Sequence, residues 1–229
     1  GIEFKLGTAT KEIRNNGELV VVDTEKYGEL EFEAVLHATG RRANTEGLGL
    51  ENTDIELRPN GTIVVDEFCQ TAVENVFAVG DVNGGLQFTY VSLDDFRVVN
   101  GYLHGNKEYT TADRKNVPYS TFISPALSHV GLHKEEAEAA YPNVAVASLP
   151  VANMPRGAVN QDPRGLFRVT VDKDTNLILG ATLFGKNSEE IINLIKMAID
   201  NKIPYTYIRD QIFTHPTMAE NLNDVFKLI

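Results

Sequence analysis

The chain contains no tryptophan and a single cysteine, Cys69, and basic residues are fewer than acidic ones. One cysteine excludes a disulfide framework and a zinc ribbon and fits a reducing compartment, so we expect a cytoplasmic protein. With 21 Lys and Arg against 32 Asp and Glu, the net charge of −11 argues against nucleic acid or an anionic membrane as a partner. No apolar run approaches the roughly 18 residues that a membrane span needs.

What is present is a globular composition, with 42% hydrophobic residues in a chain of 229. This length allows one large domain or two smaller ones. Residues 2–6, 19–23 and 30–38 alternate or cluster apolar side chains at strand length, and turn signals such as Asn-Asn-Gly at 15–17 separate them. They predict an antiparallel meander. Two more strands are predicted at residues 61–65 and 76–79.

The most informative stretch is residues 71–81, TAVENVFAVGD, which two glycines and a further apolar segment follow. The run at 76–79 is typical of a buried parallel strand, and Gly80-Asp81 ends it where a ligand can approach the backbone. A carboxylate there can accept hydrogen bonds from the hydroxyls of a sugar or sugar alcohol. A lone Val-Gly-Asp would fit a plain strand-end turn, whereas the whole stretch favours a cofactor site.

Residues 71–81 resemble the second flavin-binding motif of the pyridine nucleotide–disulfide oxidoreductases. The resemblance implies that Asp81, after Gly80, holds the ribityl chain of FAD. It also implies that the backbone around Phe88 and Thr89 faces the pyrimidine end of the isoalloxazine.

A second resemblance lies upstream, in the segment ATGRRAN at 38–44. It is similar to the family's ATGRxPN segment, where the chain leaves the nicotinamide-nucleotide domain and re-enters the FAD domain. This makes Gly40 and Arg41 candidates for cofactor binding. Ala43 stands where the family usually has proline, which predicts a looser turn. Taken alone, the segment would fit an ordinary loop that contains Gly and Arg. Because it precedes the Gly-Asp motif, however, we favour the resemblance to the family segment.

Residues 86–103 predict a helix. Within it the run FTYVSLDDFR at 88–97 resembles the reactive-chlorine-resistance branch of the family. This resemblance implies a link to reduction of hypothiocyanous acid or cupric ion. Tyr90, Leu93 and Phe96 have helical spacing, and for these three a stripe of core residues is the favoured interpretation.

The C-terminal part changes character after a polar linker at 105–118. Residues 120–140 resemble the opening of the family's dimerisation domain and include a short helix at 134–140. His133 takes the N-cap place where the family usually has threonine, and we assign it no chemistry. A helix from Ser188 with a broad apolar face is expected to pack on a sheet. The strands of that sheet are predicted at 144–151, 166–171 and 177–184.

The tail FTHPTMAE at 213–220 is the segment with catalytic potential. Pro216 disfavours the α conformation for His215, so the histidine should be extended just before a helix. Thr217 and Glu220 have the spacing of a capping box. A capping box accounts for the presence of these two residues but gives no reason for a histidine at 215. In the functional interpretation, a carboxylate one turn in orients the imidazole, which then exchanges a proton with a thiol.

This tail resembles the HPTxxE signature of the disulfide reductases. The resemblance implies that His215 is an acid/base that reaches across a dimer interface to the redox-active cysteines of the other subunit, with Glu220 orienting it. Members of the family also need two glycine-rich nucleotide loops and a CxxxxC pair, and this sequence has none of them. Because it also begins at Gly1, inside a predicted strand, we expect the C-terminal half of a longer protein, inactive alone.

The expected fold class is α+β. It comprises a C-terminal α/β dimerisation domain, with an antiparallel sheet and flanking helices, plus the second segment of an FAD-binding domain and the tail of an NAD(P)-binding domain. We assign the NAD(P) tail to residues 1–40, the FAD segment to 41–115 and the dimerisation domain to 116–229.

The whole enzyme is expected to be a homodimer that uses FAD and NAD(P)H to reduce a small-molecule electron acceptor, with no nucleic-acid or membrane partner. We do not expect the isolated chain to retain these cofactors. Dihydrolipoamide dehydrogenase stays open as an alternative. Mercuric reductase is less favoured because the chain ends without that enzyme's C-terminal cysteine pair. Two further alternatives are a flavoprotein oxidase without dithiol chemistry and, for the isolated chain, a catalytically inactive dimerisation module.

Overall fold

The computed structural model describes residues 1–229, which divide into two compact units, residues 1–96 and 97–229. Each unit contains one antiparallel sheet, and helices accompany both. The predicted α+β class, with an antiparallel sheet and helices in the C-terminal part, is confirmed. None of the helices combines the length and apolar character that crossing a membrane requires.

The first unit begins with a three-stranded antiparallel meander, as predicted. Its strands are β1 (Thr10–Asn16), β2 (Leu19–Thr24) and β3 (Gly28–Phe32), in that spatial order. Gly17 adopts a φ of 72° in the turn between β1 and β2, which a glycine reaches without steric cost. Val21 and Thr24 on the central strand are only 2% and 6% exposed, so β2 carries the buried positions of this sheet.

The position of the first strand differs from the prediction. Residues 2–6 form no strand, and their apolar side chains Ile2, Phe4 and Leu6 are 71–84% exposed. The strand that pairs with β2 is instead the polar segment TKEIRNN. An edge strand of this kind is held by backbone pairing to an apolar neighbour, and its own side chains give no period-2 signal. The third strand also ends at Phe32 rather than continuing to residue 38.

Two further predicted strands, at 61–65 and 76–79, are wrong. Each segment forms only one antiparallel bridge, Leu57 with Ile63 and Gln70 with Phe77. Val76 and Val79 are 38% and 43% exposed, so the run is not buried as a parallel strand would be. A parallel strand needs hydrogen-bonding neighbours along its length, and this segment has a single bridge in the chain.

The boundary between the two units falls within α1 (Thr89–Leu103), which begins three residues later than Leu86 but is otherwise as predicted. The expected core stripe is wrong, because Tyr90, Leu93 and Phe96 are 45–57% exposed. Val91 and Asp95 are buried instead. Helical spacing thus identifies residues on a common face without specifying what covers that face.

The second unit is built on a five-stranded antiparallel sheet in the order β4-β5-β8-β7-β6. Its strands are β4 (Tyr119–Thr121), β5 (Leu127–Gly131), β6 (Val144–Pro150), β7 (Leu166–Asp172) and β8 (Ile178–Phe184). The three predicted strands at 144–151, 166–171 and 177–184 are confirmed as β6, β7 and β8. The central strands β7 and β8 carry the densest run of buried residues in the chain.

Five helices surround this sheet: α2 (Lys134–Ala140), α3 (Pro155–Val159), α4 (Ser188–Asp200), α5 (Tyr205–Asp210) and α6 (Asn221–Lys227). The bounds of α2 and the start of α4 are those predicted. Helix α4 packs on β5 and β8, and α6 packs on β6, β7 and α5. Ile195 and Leu222, each fully buried, anchor these two helices in one core. The segment that precedes α6 is therefore attached to a helix that the core holds in place.

Candidate functional site

A histidine–carboxylate pair lies immediately before α6. Nδ1 of His215 is 2.8 Å from Oε2 of Glu220. The other carboxylate oxygen, Oε1, accepts the backbone N–H of Thr217 at 3.0 Å, and the N–H of Glu220 donates to Oγ1 of Thr217 at 3.2 Å. The two reciprocal hydrogen bonds of the predicted capping box therefore form, in the turn just before α6 begins at Asn221, and they use only one oxygen of Glu220. The second oxygen is directed to His215.

The two residues of the pair differ in solvent exposure. The side chain of His215 is 69% exposed, whereas that of Glu220 is 16% exposed. Burial raises the pKa of Glu220, but hydrogen bonds from His215 and from the N–H of Thr217 outweigh it and hold the pKa below the ordinary value. Because an ionised carboxylate has no proton to donate, Nδ1 of His215 must be the donor. In the neutral imidazole Nε2 is then the atom that can accept a proton.

Two asparagines that the sequence did not single out hold the backbone around this pair. Nδ2 of Asn221, a fully buried residue, donates to the carbonyls of Thr217 and Met218 at 3.2 and 3.1 Å. Nδ2 of Asn223 donates to three carbonyls at the end of α5 and just after it, at 2.7–3.1 Å. An asparagine side chain readily hydrogen-bonds to backbone groups near a helix end. The two asparagines in the first turn of α6 were therefore the sequence signal that could have indicated these contacts.

The candidate flavin-binding residues lie in the first unit. Asp81 stands in a 3₁₀ turn, Gly80–Asn83, and its Oδ2 accepts a hydrogen bond from Nη1 of Arg41 at 2.9 Å. The Asp81 side chain is 41% exposed and that of Arg41 is 71% exposed. The fold thus brings together residues of the two predicted motifs, 38–44 and 71–81. Gly40, next to Arg41, is exposed and has a φ of 100°.

Phe88 and Thr89 lie at the start of α1. The carbonyl of Phe88 accepts the N–H groups of Val91 and Ser92, both at 3.0 Å, and the N–H of Phe88 donates to the carbonyl of Leu86 at 2.9 Å. Both backbone groups of Phe88 are therefore engaged within the chain. Thr89 is the first helical residue, where N–H groups have no partner inside the helix. Of the two, Thr89 is better placed to offer its N–H to a ligand.

A half-exposed carboxylate beside a glycine-containing turn has the chemistry to bind the hydroxyl groups of a ribityl chain, so Asp81 fits FAD. Arg41 engages one oxygen of that carboxylate.

Cys69 is fully buried, so its thiol is not available to a substrate. The structure contains no group of three or more His, Cys, Asp or Glu side chains placed to hold a metal ion.

A stacked pair of imidazoles in the second unit was not predicted. The rings of His129 on β5 and His133 before α2 lie 3.7 Å apart and nearly parallel. His129 is 4% exposed, with Nδ1 2.8 Å from Oγ1 of Thr182 and Nε2 3.0 Å from the carbonyl of Gly131. Burial, together with the neighbouring His133, lowers the pKa of His129 from its ordinary value. His133 itself is exposed and is the N-cap residue of α2.

Comparisons with known proteins agree along the chain. A family model described as pyridine nucleotide-disulphide oxidoreductase matches residues 1–95, and that of the dimerisation domain of the same family matches 117–226. The chain is 44% identical over its whole length to a probable pyridine nucleotide-disulfide oxidoreductase, RclA, of Escherichia coli strain K12, and covers 52% of it. It is 30% identical to a dihydrolipoyl dehydrogenase of Corynebacterium glutamicum, with 98% of the chain and 49% of that protein covered.

Among solved structures, a Cu(II) complex of the HOCl-induced flavoprotein disulfide reductase RclA from E. coli is similar, with a TM-score of 0.91 and 44% identity. The match covers 96% of this chain and 50% of that one. The chain thus spans about half the length of the curated relatives it matches. The agreement of both family models, the whole-length identity and the fold shows that this chain belongs to the pyridine nucleotide–disulfide oxidoreductase family.

Proposed function

We propose that this chain is the C-terminal half of an FAD-dependent NAD(P)H oxidoreductase that acts through a cysteine pair supplied outside this chain. The observation that carries the proposal is the 2.8 Å contact between His215 Nδ1 and Glu220. A capping box alone needs no histidine, and here Glu220 gives one oxygen to the cap and the other to the imidazole. This arrangement supports an acid/base role for His215, with Glu220 orienting the imidazole.

In this proposal His215 moves a proton at Nε2. The ionised Glu220 accepts the Nδ1–H, so it fixes the tautomer and stabilises the imidazolium that forms when Nε2 takes a proton from a thiol. The exposed position of the imidazole leaves Nε2 accessible to a cysteine of a second subunit. The same nitrogen would return the proton when the thiol is regenerated.

The flavin site is proposed at the Gly80–Asn83 turn. Asp81 would hold the ribityl hydroxyls, Thr89 would direct an N–H to the isoalloxazine, and Gly40 would let the 38–44 segment approach closely. Arg41 shares the Asp81 carboxylate and would neutralise part of its charge. FAD, when bound, would supply the hydride acceptor for NAD(P)H and the redox link to the cysteine pair.

The domain assignment follows the same proposal. Residues 1–40 would be the tail of the NAD(P)-binding domain, 41–115 a segment of the FAD-binding domain and 116–229 the dimerisation domain. The family models that match on either side of residues 96–116 support a division in this region.

A homodimer is proposed through the outward face of α4. Leu194 and Met197 on this face are 42% and 60% exposed. An open groove of about 330 Å³ lies between α4 and residues 217–219, next to His215 in the chain. An apolar surface beside the acid/base suits a two-fold interface across which one subunit completes the site of the other.

For the acceptor, we propose an oxidant or a metal ion such as hypothiocyanous acid or cupric ion. The similar solved structure is described as HOCl-induced and as a Cu(II) complex, which supports this class. Dihydrolipoamide is the second candidate, because a dihydrolipoyl dehydrogenase is 30% identical over nearly the whole chain. The cytoplasm is the proposed compartment, since the chain has one cysteine, and it is buried.

The test uses the full-length protein encoded by the gene. It should purify with a flavin spectrum and oxidise NAD(P)H with Cu(II) or hypothiocyanous acid. In His215→Gln the kcat should fall by about 10² to 10⁴, the range for losing an acid/base group. The matched control is His104→Gln, an exposed histidine, which should keep its rate. Full activity of His215→Gln would overturn the assignment.

The isolated chain provides the second test. We expect no NAD(P)H oxidation above background with added FAD, and light scattering should give a dimer. Turnover by the isolated chain would contradict its proposed place as half of an enzyme. A strictly monomeric chain would contradict the α4 interface, and Met197→Glu should weaken the dimer if that interface is correct.

A further inference from the structure

A buried carboxylate supports the Gly80–Asn83 turn. Asp95, in α1, is 1% exposed. Its Oδ2 accepts the backbone N–H of Gly80 at 2.7 Å and Nδ2 of Asn83 at 3.0 Å. Burying a carboxylate is costly unless hydrogen bonds compensate it, and this one binds both ends of the turn that carries Asp81. None of the proposed chemistry uses Asp95.

The contact with Gly80 acts as a cap. Gly80 is the first residue of the 3₁₀ turn, and a first-turn N–H has no partner inside its own helix. The residue before the turn, Val79, offers no side-chain cap. The carboxylate of Asp95, from a different element, satisfies this N–H. A hydrogen bond to a charged acceptor is stronger than one to a neutral acceptor, so the start of the turn is held firmly.

Asn83 extends the same support to the far end of the turn. Its Nδ2 also donates to the carbonyl of Ala78 at 3.3 Å, and its Oδ1 accepts the N–H of Gly85 at 3.0 Å. Asp95 thus connects to the segments before and after the turn through one side chain. Close packing adds to this, because a Cβ at Gly80, where φ is 73°, would lie 2.8 Å from Oγ of Ser92.

We propose that Asp95 is a positioning residue for flavin binding. By holding Gly80 and Asn83 it fixes the backbone of Asp81, and so the direction in which the Asp81 carboxylate meets the ribityl hydroxyls. Asp95 itself is too deeply buried to touch the ligand and acts through the turn. The inference rests on the proposed function, in which Asp81 binds FAD.

The test measures FAD affinity of the full-length apoprotein by the change in flavin fluorescence on binding. Asp95→Ala should raise the Kd for FAD about tenfold or more, the scale of losing hydrogen bonds to a charged group. Asp95→Asn keeps an oxygen for the N–H of Gly80 and should give a smaller increase. Asp54→Ala, which removes an exposed carboxylate of the same unit outside both predicted cofactor motifs, is the control and should leave the Kd unchanged.

A double variant separates positioning from general loss of structure. If Asp95 acts through Asp81, then Asp95→Ala should add less than about threefold to the Kd of Asp81→Ala, because coupled residues are not additive. Full additivity would overturn the positioning role. If Asp95→Ala does not fold, Asp95→Asn is compared in the same way, and an unchanged Kd there would also overturn it.

The two proposals fail in different ways. If Asp81→Ala weakens FAD binding and neither Asp95 variant does, only the positioning role is wrong. If Asp81→Ala leaves the Kd for FAD unchanged, Asp81 does not bind the flavin and the proposed flavin site is wrong. The inference about Asp95, which depends on that site, is then wrong as well.

Discussion

The two oxygens of Glu220 have separate partners, and substitutions can separate their effects. In Glu220→Gln one oxygen still accepts the N–H of Thr217, while the charge that orients His215 is lost. We expect little change in the free energy of unfolding and a fall in kcat of the full-length enzyme of about 10². Thr217→Ala removes the cap and should lower the free energy of unfolding by about 1 kcal/mol with kcat nearly intact. Steady-state kinetics and urea unfolding of both variants provide the check, and equal losses in both properties would contradict the separation.

Another residue with a distinct environment is His129. Because the folded state lowers the pKa of His129 from its ordinary value of 6.5, the unfolded chain binds more protons below that pH. The free energy of unfolding contributed by this residue is fully present above pH 6.5 and should decrease as the pH falls below it. Urea unfolding at pH 5.5 and 7.5 measures this difference. His129→Gln should reduce it, and the exposed His104→Gln should not. An unchanged pH dependence in His129→Gln would be the contrary result.

Single residues show where the sequence was informative. His215 and Glu220 could be singled out because proline restricts the residue before it and a capping box has a fixed spacing, both local rules. Asp95 and His129 could not, because their significance depends on contacts with residues 15 and 53 positions away in the chain. The spacing of residues along the chain cannot predict contacts between residues so far apart.

Between β5 and β8 the backbones approach unusually closely, and this requires glycine. A Cβ at Gly180 would lie 2.2 Å from the carbonyl oxygen of Leu132, a backbone atom that cannot yield without disturbing the pairing of Gly131 with Gly180. Gly180→Ala should therefore lower the free energy of unfolding by about 3 kcal/mol or more. Gly105→Ala is the control: nothing lies within 4 Å of its Cβ, and only its φ of 80° opposes alanine, at about 1 kcal/mol. Thermal unfolding of both variants tests this, and similar losses would count against the steric explanation.

At this scale the sequence predicted elements whose partners lie within the chain. β6, β7, β8 and α4 have apolar patterns that are buried against one another, and all four were predicted within one or two residues. The run at 76–79 and the Tyr90, Leu93 and Phe96 face have equally clear patterns but remain exposed. Hydrophobic periodicity records that a face is apolar, and an element becomes buried only when a complementary surface is present.

On the scale of the whole molecule, the two units differ in how much core they possess. One cluster of 20 buried residues, from Val130 to Phe226, lies entirely in the second unit. The first unit has five buried hydrophobic residues: Val21, Ile63, Cys69, Ala78 and Val91. Burial of apolar surface must offset about 1–2 kcal/mol of backbone entropy per residue, which a small core does poorly.

We therefore expect residues 97–229 alone to unfold in one cooperative transition with a midpoint close to that of the same region in the intact chain, at equal protein concentration. Residues 1–96 alone should show no such transition and little protection from amide hydrogen exchange. A shorter piece, residues 116–229, keeps every residue of the core and should behave like 97–229, as the proposed start of the dimerisation domain requires. Urea unfolding of the three pieces tests this. A cooperative transition in residues 1–96, or its loss in residues 116–229, would mean that stability is not concentrated where the buried side chains are.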